Sequence, residues 1–107
     1  MNEARIEQLK NYLKEDPNDP FLIYALAIEY QHEKPETALT YFEQLLAEHE
    51  NYTGTYYHAA NLYLELNRLD EAEVVFKKGT EICRNQNDAH ALRELQTAYN
   101  NYLLDEI

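Results

Sequence analysis

Residues 23–42 read IYALAIEYQHEKPETALTYF and residues 56–76 read YYHAANLYLELNRLDEAEVVF. Laid over one another, the two stretches repeat. Ile23-x-x-Leu26-Ala27-x-x-Tyr30 matches Tyr56-x-x-Ala59-Ala60-x-x-Tyr63 at an offset of 33, and Ala38-x-x-x-Phe42 matches Ala72-x-x-x-Phe76 at an offset of 34. Apolar residues three and four apart lie on one face of a helix, so each copy reads as a pair of amphipathic helices. The small members (Ala27, Ala60, Ala38, Ala72) let helices cross closely, and the large ones (Tyr30, Phe42, Tyr63, Phe76) fill the space beside them.

The same period extends outward to both ends. Ile6, Leu9 and Leu13 mark a first helix that stops at Asp16-Pro17-Asn18-Asp19. Asp19 then reads as an N-cap with Pro20 at the first helical position, where the missing N–H costs nothing. The second helix runs to about Gln31 with Ile23, Leu26, Ala27 and Tyr30 inward. Pro35 opens a third, with Ala38, Phe42, Leu45 and His49 inward. Thr53 reads as the cap of a fourth that carries Tyr56, Ala59, Ala60 and Tyr63. Asn67-Arg68 makes the next turn. Asp70, with Glu73 three residues on, reads as a capping box for a fifth helix facing inward through Ala72, Phe76, Gly79 and Ile82. After a break at Asn85–Asp88, a sixth follows with Leu92, Leu95, Tyr99 and Leu103 inward. Gly79 falls inside its helix, which costs about 1 kcal/mol against alanine and is tolerable where a neighbouring helix must come close.

A helical repeat of this period resembles the tetratricopeptide family, whose pattern is aromatic-x₂-Leu-Gly-x₂-Tyr followed by Ala-x₃-Phe. The resemblance implies an all-α fold: an antiparallel stack of helix pairs forming a right-handed α-solenoid of about six helices. It implies one domain over 1–107, made of an N-terminal helix (1–16), a first repeat (19–50), a second repeat (51–84) and a C-terminal capping helix (87–105). Capping is needed because an end repeat would otherwise expose its apolar face. This sequence departs from the pattern in three ways. Ile23 replaces the aromatic of the first repeat, Ala27 and Ala60 replace glycine, and the first repeat is one residue shorter between Tyr30 and Ala38, which puts the turn around His32 and Glu33 in question.

The resemblance also implies a function, since family members bind other proteins along a groove lined by the first helix of each repeat. That face would carry Tyr24 and Ile28 from one repeat and Tyr57, His58, Asn61 and Leu64 from the next. With Ile23 and Leu26 on its other face, the second helix is apolar nearly all round, so it needs a second surface to cover it. A peptide or helix of a partner protein would lie there against Tyr24, Ile28 and Tyr57, oriented by the Asn61 amide. The alternative is that the first or last helix folds back over the stripe. Chaperone-binding members hold a C-terminal carboxylate with Lys, Asn and Arg; of the groove positions here only Asn61 fits, so no such clamp is expected.

Composition narrows the function classes. The 107 residues carry a formal net charge of −11. That excludes a phosphate-neutralising Lys/Arg surface and docking on anionic lipid, and fits either solubility alone or a basic or apolar segment of a partner. The single cysteine, Cys83, excludes an internal disulfide and a cysteine-based zinc site, and a reducing, cytoplasmic setting is expected. The N-terminus, MNEARIEQLK, has no apolar secretory core, and no run approaches the length of a membrane span. His32, His49, His58 and His90 form no ligand spacing, there is no glycine-rich phosphate loop, and no metal or cofactor is expected. The sequence therefore reads as a non-enzymatic adaptor, monomeric or weakly homodimeric. A small acidic chaperone and a structural homodimer subunit are the alternatives.

Overall fold

The computed structural model describes residues 1–105. Among them are six helices and no strand: α1 (Glu3–Glu15), α2 (Pro20–Tyr30), α3 (Pro35–Glu48), α4 (Gly54–Glu65), α5 (Leu69–Asn85) and α6 (Ala89–Asp105). The chain divides into two compact units, Met1–His49 with α1 to α3 and Glu50–Ile107 with α4 to α6.

In the first unit α2 packs against both α1 and α3. The Asn2 side chain accepts from the Arg5 N–H at the start of α1, and Asp19 accepts from the Phe21 N–H at 2.9 Å, with Pro20 following. Ile23, Leu26 and Ala27 are fully buried, as are Ala38, Phe42 and Leu45 of α3. His49, expected on the inner face, is instead the half-buried C-cap of α3, and Leu39 takes part in the core. The turn from α2 to α3 closes with the Lys34 N–H on the Tyr30 carbonyl at 2.8 Å and needs no left-handed residue.

The second unit closes its turns differently. Asn67 and Asn87 adopt φ 58° and 57°. After α4, the Asn67 N–H bonds the Leu64 carbonyl and the Arg68 N–H the Tyr63 carbonyl; after α5, Asn87 and Asp88 repeat this on Arg84 and Cys83. Both are Schellman endings with asparagine at the left-handed position, where it is tolerated better than other side chains. The residue missing from the first repeat is therefore the difference between two kinds of turn.

Two expected caps are corrected. Helix α5 starts at Leu69, directly after Arg68, and has no side-chain cap; Asp70 lies within its first turn. Arg68, whose N–H has just closed α4, is also the residue before α5; Asp88 holds the same place between α5 and α6 and caps with its carboxylate, accepting from the Ala91 N–H at 3.1 Å, whereas the Arg68 guanidinium has no acceptor to offer. That guanidinium grips both Glu71 oxygens at 2.7 Å. Glu73 is not part of a capping box: it accepts from the Tyr99 hydroxyl, which pushes the Tyr99 pKa up to about 12, and pairs with Lys77 at 3.4 Å. Thr53 precedes α4 but makes no cap bond, because its hydroxyl donates to Asp88 at 2.6 Å.

The core of the second unit gathers at Gly79. Tyr56 of α4 and Leu95 of α6 both close on it, so near that a Cβ there would fall 2.6 Å from atoms of each. Tyr56 is 1% exposed, donates to the Glu50 carbonyl at 2.6 Å, and has its pKa pushed up to about 12 by burial. Phe76 is fully buried against the parallel rings of Tyr99 and Tyr102 at 4.8 and 6.2 Å. Of the expected inner face of α6, Leu95 is buried, Leu92 and Tyr99 are half-buried, and Leu103 is 44% exposed. Leu103 sits in the last described turn, at the level where α5 is only beginning, so the expectation of a buried Leu103 fails.

Candidate functional site

In the second unit α4, α5 and α6 each touch the other two. Short turns make α4 and α5 antiparallel, and α5 and α6 likewise, so α4 and α6 run in the same direction. Tyr56, Ala59, Ala60 and Tyr63 spend one face of α4 on the core. Residues one position later are rotated by about 100°. Tyr57, Asn61 and Leu64 consequently turn away from the core, and with α6 they enclose a cleft of about 790 Å³.

Leu64, Leu69, Ala98 and the rings of Tyr57 and Tyr102 supply its apolar surface, and Asn61, Asn67, Asn101 and Thr97 its uncharged polar groups. His90, Arg93 and Glu94 lie toward the start of α6 and Asp105 at its end. By helix geometry this wall is about 22 Å long, the span of roughly seven extended residues. Tyr57 packs edge-on against the His58 ring at 5.1 Å. Tyr102 is held near-parallel to Phe76 and Tyr99, so the cleft contains an aromatic surface whose orientation the core sets.

The six residues singled out by sequence are divided between the two units. Tyr57, Asn61 and Leu64 share the cleft. His58 is half-buried beside it, where desolvation lowers its pKa and the carboxylate of Glu94 opposes that. Tyr24 and Ile28 belong to α2 of the first unit; Tyr24 is half-buried there, and Ile28 lines a cleft of that unit with Glu29, Gln31, His32 and Glu33. The α6 wall was missed, because α6 lacks the repeat motif and its cleft-facing residues are ordinary surface types. One signal was present: Arg93, Thr97 and Asn101 fall at four-residue intervals on one face. Arg93 also adds to Asn61 a basic group that α2 and α4 do not supply, but Glu94 and Asp105 leave the lining with more carboxylate than cation.

The residues with reactive chemistry lie elsewhere or are spent. Cys83 is 1% exposed and burial pushes its thiol pKa up, away from the thiolate that a nucleophile requires. His90 faces Glu94 at 3.6 Å. Among the described residues no group of His, Cys, Asp and Glu could hold a metal ion, and no helix is long and apolar enough to cross a membrane.

Residues 29–95 match the family model described as tetratricopeptide repeat. Solved structures are similar as well, two of which illustrate it. One is a crystal structure of a tetratricopeptide repeat domain protein from Salinibacter ruber, 41% identical, with a TM-score of 0.72, covering 76% of this chain and 91% of that one. The other is a solution NMR structure of a tetratricopeptide repeat domain protein from the same organism, 42% identical, with a TM-score of 0.71, covering 77% and 84% respectively. No curated protein matches the chain.

Proposed function

The chain belongs to the tetratricopeptide repeat family, and on that premise we propose that it is a non-enzymatic adaptor that holds a segment of a partner protein in the α4–α6 cleft. The observation that carries this reading is the character of the cleft: two tyrosine rings and two leucines among side-chain amides, on rigid helices. Aromatic anchors ringed by uncharged polar groups are what protein-binding surfaces use, and a ring already fixed by the core loses little entropy on binding. The proposal is confined to the second unit, where Tyr57, Asn61 and Leu64 form one wall.

An affinity capture from the host lysate, comparing wild type with Tyr57→Ala/Asn61→Ala, tests it. The expected result is one or two proteins retained by wild type and lost with the double variant, whose far-UV circular dichroism and melting remain those of a folded chain. Equal capture by both would refute the assignment of the cleft.

A further inference from the structure

We propose that the end of the α4–α6 cleft formed by Asn67, Leu69, Asn101, Tyr102 and Asp105 receives an arginine side chain of the bound segment. This rests on the cleft being the binding site and adds the chemistry of its occupant.

Charge and shape both point this way. Asp105 makes no ion pair among the described residues and lines the cleft one turn from Asn101 and Tyr102. No cation competes for it from the lining. Arg93, the one Lys or Arg in the wall, lies twelve residues earlier on α6, about 18 Å away along the helix. Arg68, next in sequence to Asn67, is committed to both oxygens of Glu71 and stands over the Tyr63 ring at 5.1 Å. The chain as a whole carries −11, so a cation is drawn in from a distance.

Guanidinium fits better than ammonium. Its flat face can lie on the Tyr102 ring, which Phe76 and Tyr99 hold in a fixed plane. Its forked N–H groups match the Asp105 carboxylate, the carbonyl oxygens of the Asn67 and Asn101 amides line the same cleft as further acceptors, and Leu64 and Leu69 offer apolar surface for the methylenes. A lysine would satisfy the charge and forfeit the stacking and the fork.

The test is selection of random twelve-residue peptides, displayed on phage, against the full chain and against Asp105→Asn and Tyr57→Ala, each verified as folded. The expected outcome is enrichment of peptides with arginine at a fixed distance from a bulky apolar residue, reduced on either variant. In a selected peptide made synthetically, replacing that arginine by citrulline, which keeps the shape and removes the charge, should weaken binding about tenfold on wild type and no more than about threefold on Asp105→Asn. Peptides that depend on Tyr57 but show no basic preference, or accept lysine equally, would overturn the arginine assignment and leave the cleft as the binding site. Peptides indifferent to both variants, or no enrichment at all, would overturn both.

Discussion

Gly79→Ala sets two well-measured effects against each other. In a helix interior alanine is favoured over glycine by about 1 kcal/mol, so on local grounds the substitution should stabilise α5. The surroundings decide otherwise. The added Cβ would stand 2.6 Å from Tyr56 Cβ, 2.7 Å from Tyr56 Cγ and 2.6 Å from Leu95 Cδ2. Leu95 Cδ2 ends a flexible side chain, but Leu95 is fully buried and has little room to turn. Tyr56 Cβ is bonded to the backbone, so relief there means moving α4 away from α5 by most of an ångström. A gap of ~0.5–1 Å forfeits a quarter to a half of each van der Waals contact along the seam, and forced overpacking costs about 1–3 kcal/mol or more. Two of the three clashes are with atoms at the root of the Tyr56 side chain, which places the cost at the upper end, about 3 kcal/mol, and subtracting the propensity gain leaves a net loss of about 2 kcal/mol. Urea unfolding followed by far-UV circular dichroism should show the midpoint falling by about 1 M at unchanged slope, and the melting temperature dropping by roughly 10 °C. A variant as stable as wild type, or more so, would show that α4, α5 and α6 do not meet at Gly79 as described.

Asn67→Ala and Asn87→Ala should each cost about 1 kcal/mol in thermal melts, because alanine is strained at positive φ, while the glycine variants at the same positions should be near neutral. Thr55→Val should stabilise by about 1 kcal/mol: the Thr55 hydroxyl is buried with no hydrogen-bond partner, so a methyl removes a desolvation penalty and adds apolar burial. His58 has a folded pKa below its ordinary 6.5, so the unfolded chain binds its proton first; the stability tied to neutral His58 is present above that value and lost as pH falls through the folded pKa. The urea midpoint should therefore decline as the pH falls below the ordinary histidine value of 6.5, more steeply in wild type than in His58→Gln.

The helices were legible in the sequence because the burial that defines them is periodic. Ile23, Leu26, Ala27 and Tyr30, and Tyr56, Ala59, Ala60 and Tyr63, are buried as the repeat requires. What escaped were features that depend on who is the neighbour. Thr53 and Asp70 are common capping residues, yet the Thr53 hydroxyl is drawn to Asp88 across the unit, and Asp70 falls inside the first turn of a helix whose capping place is taken by Arg68. Leu103 continues the apolar period of α6 faithfully, but period alone does not reveal that α5 has only begun at that level. Gly79 announced a close approach; that it is a junction of three helices became visible only in three dimensions.

The candidate cleft was half legible for a related physical reason. Its α4 wall follows from the core by a rotation of one residue, so fixing Tyr56, Ala60 and Tyr63 inward also fixes Tyr57, Asn61 and Leu64 outward. The α6 wall has no such constraint. Leu95 is its one fully buried anchor, and a single anchor sets neither the rotation nor the direction of the remaining residues in a sequence pattern. Other contacts complete the orientation: Asp88 bonding both Thr53 and the Ala91 N–H, Tyr99 donating to Glu73, and Tyr102 lying parallel to Phe76. Thr53, Glu73 and Phe76 lie outside α6, so these contacts fix its start and its later turns as Leu95 fixes its middle. The second wall is therefore positioned by polar and aromatic contacts, one of them on the repeat residue Phe76, rather than by a repeat motif of its own. That arrangement ties Tyr102 to the core through Phe76 and leaves the other cleft-facing side chains of α6, Arg93, Thr97 and Asn101 among them, outside the apolar pattern that a sequence displays.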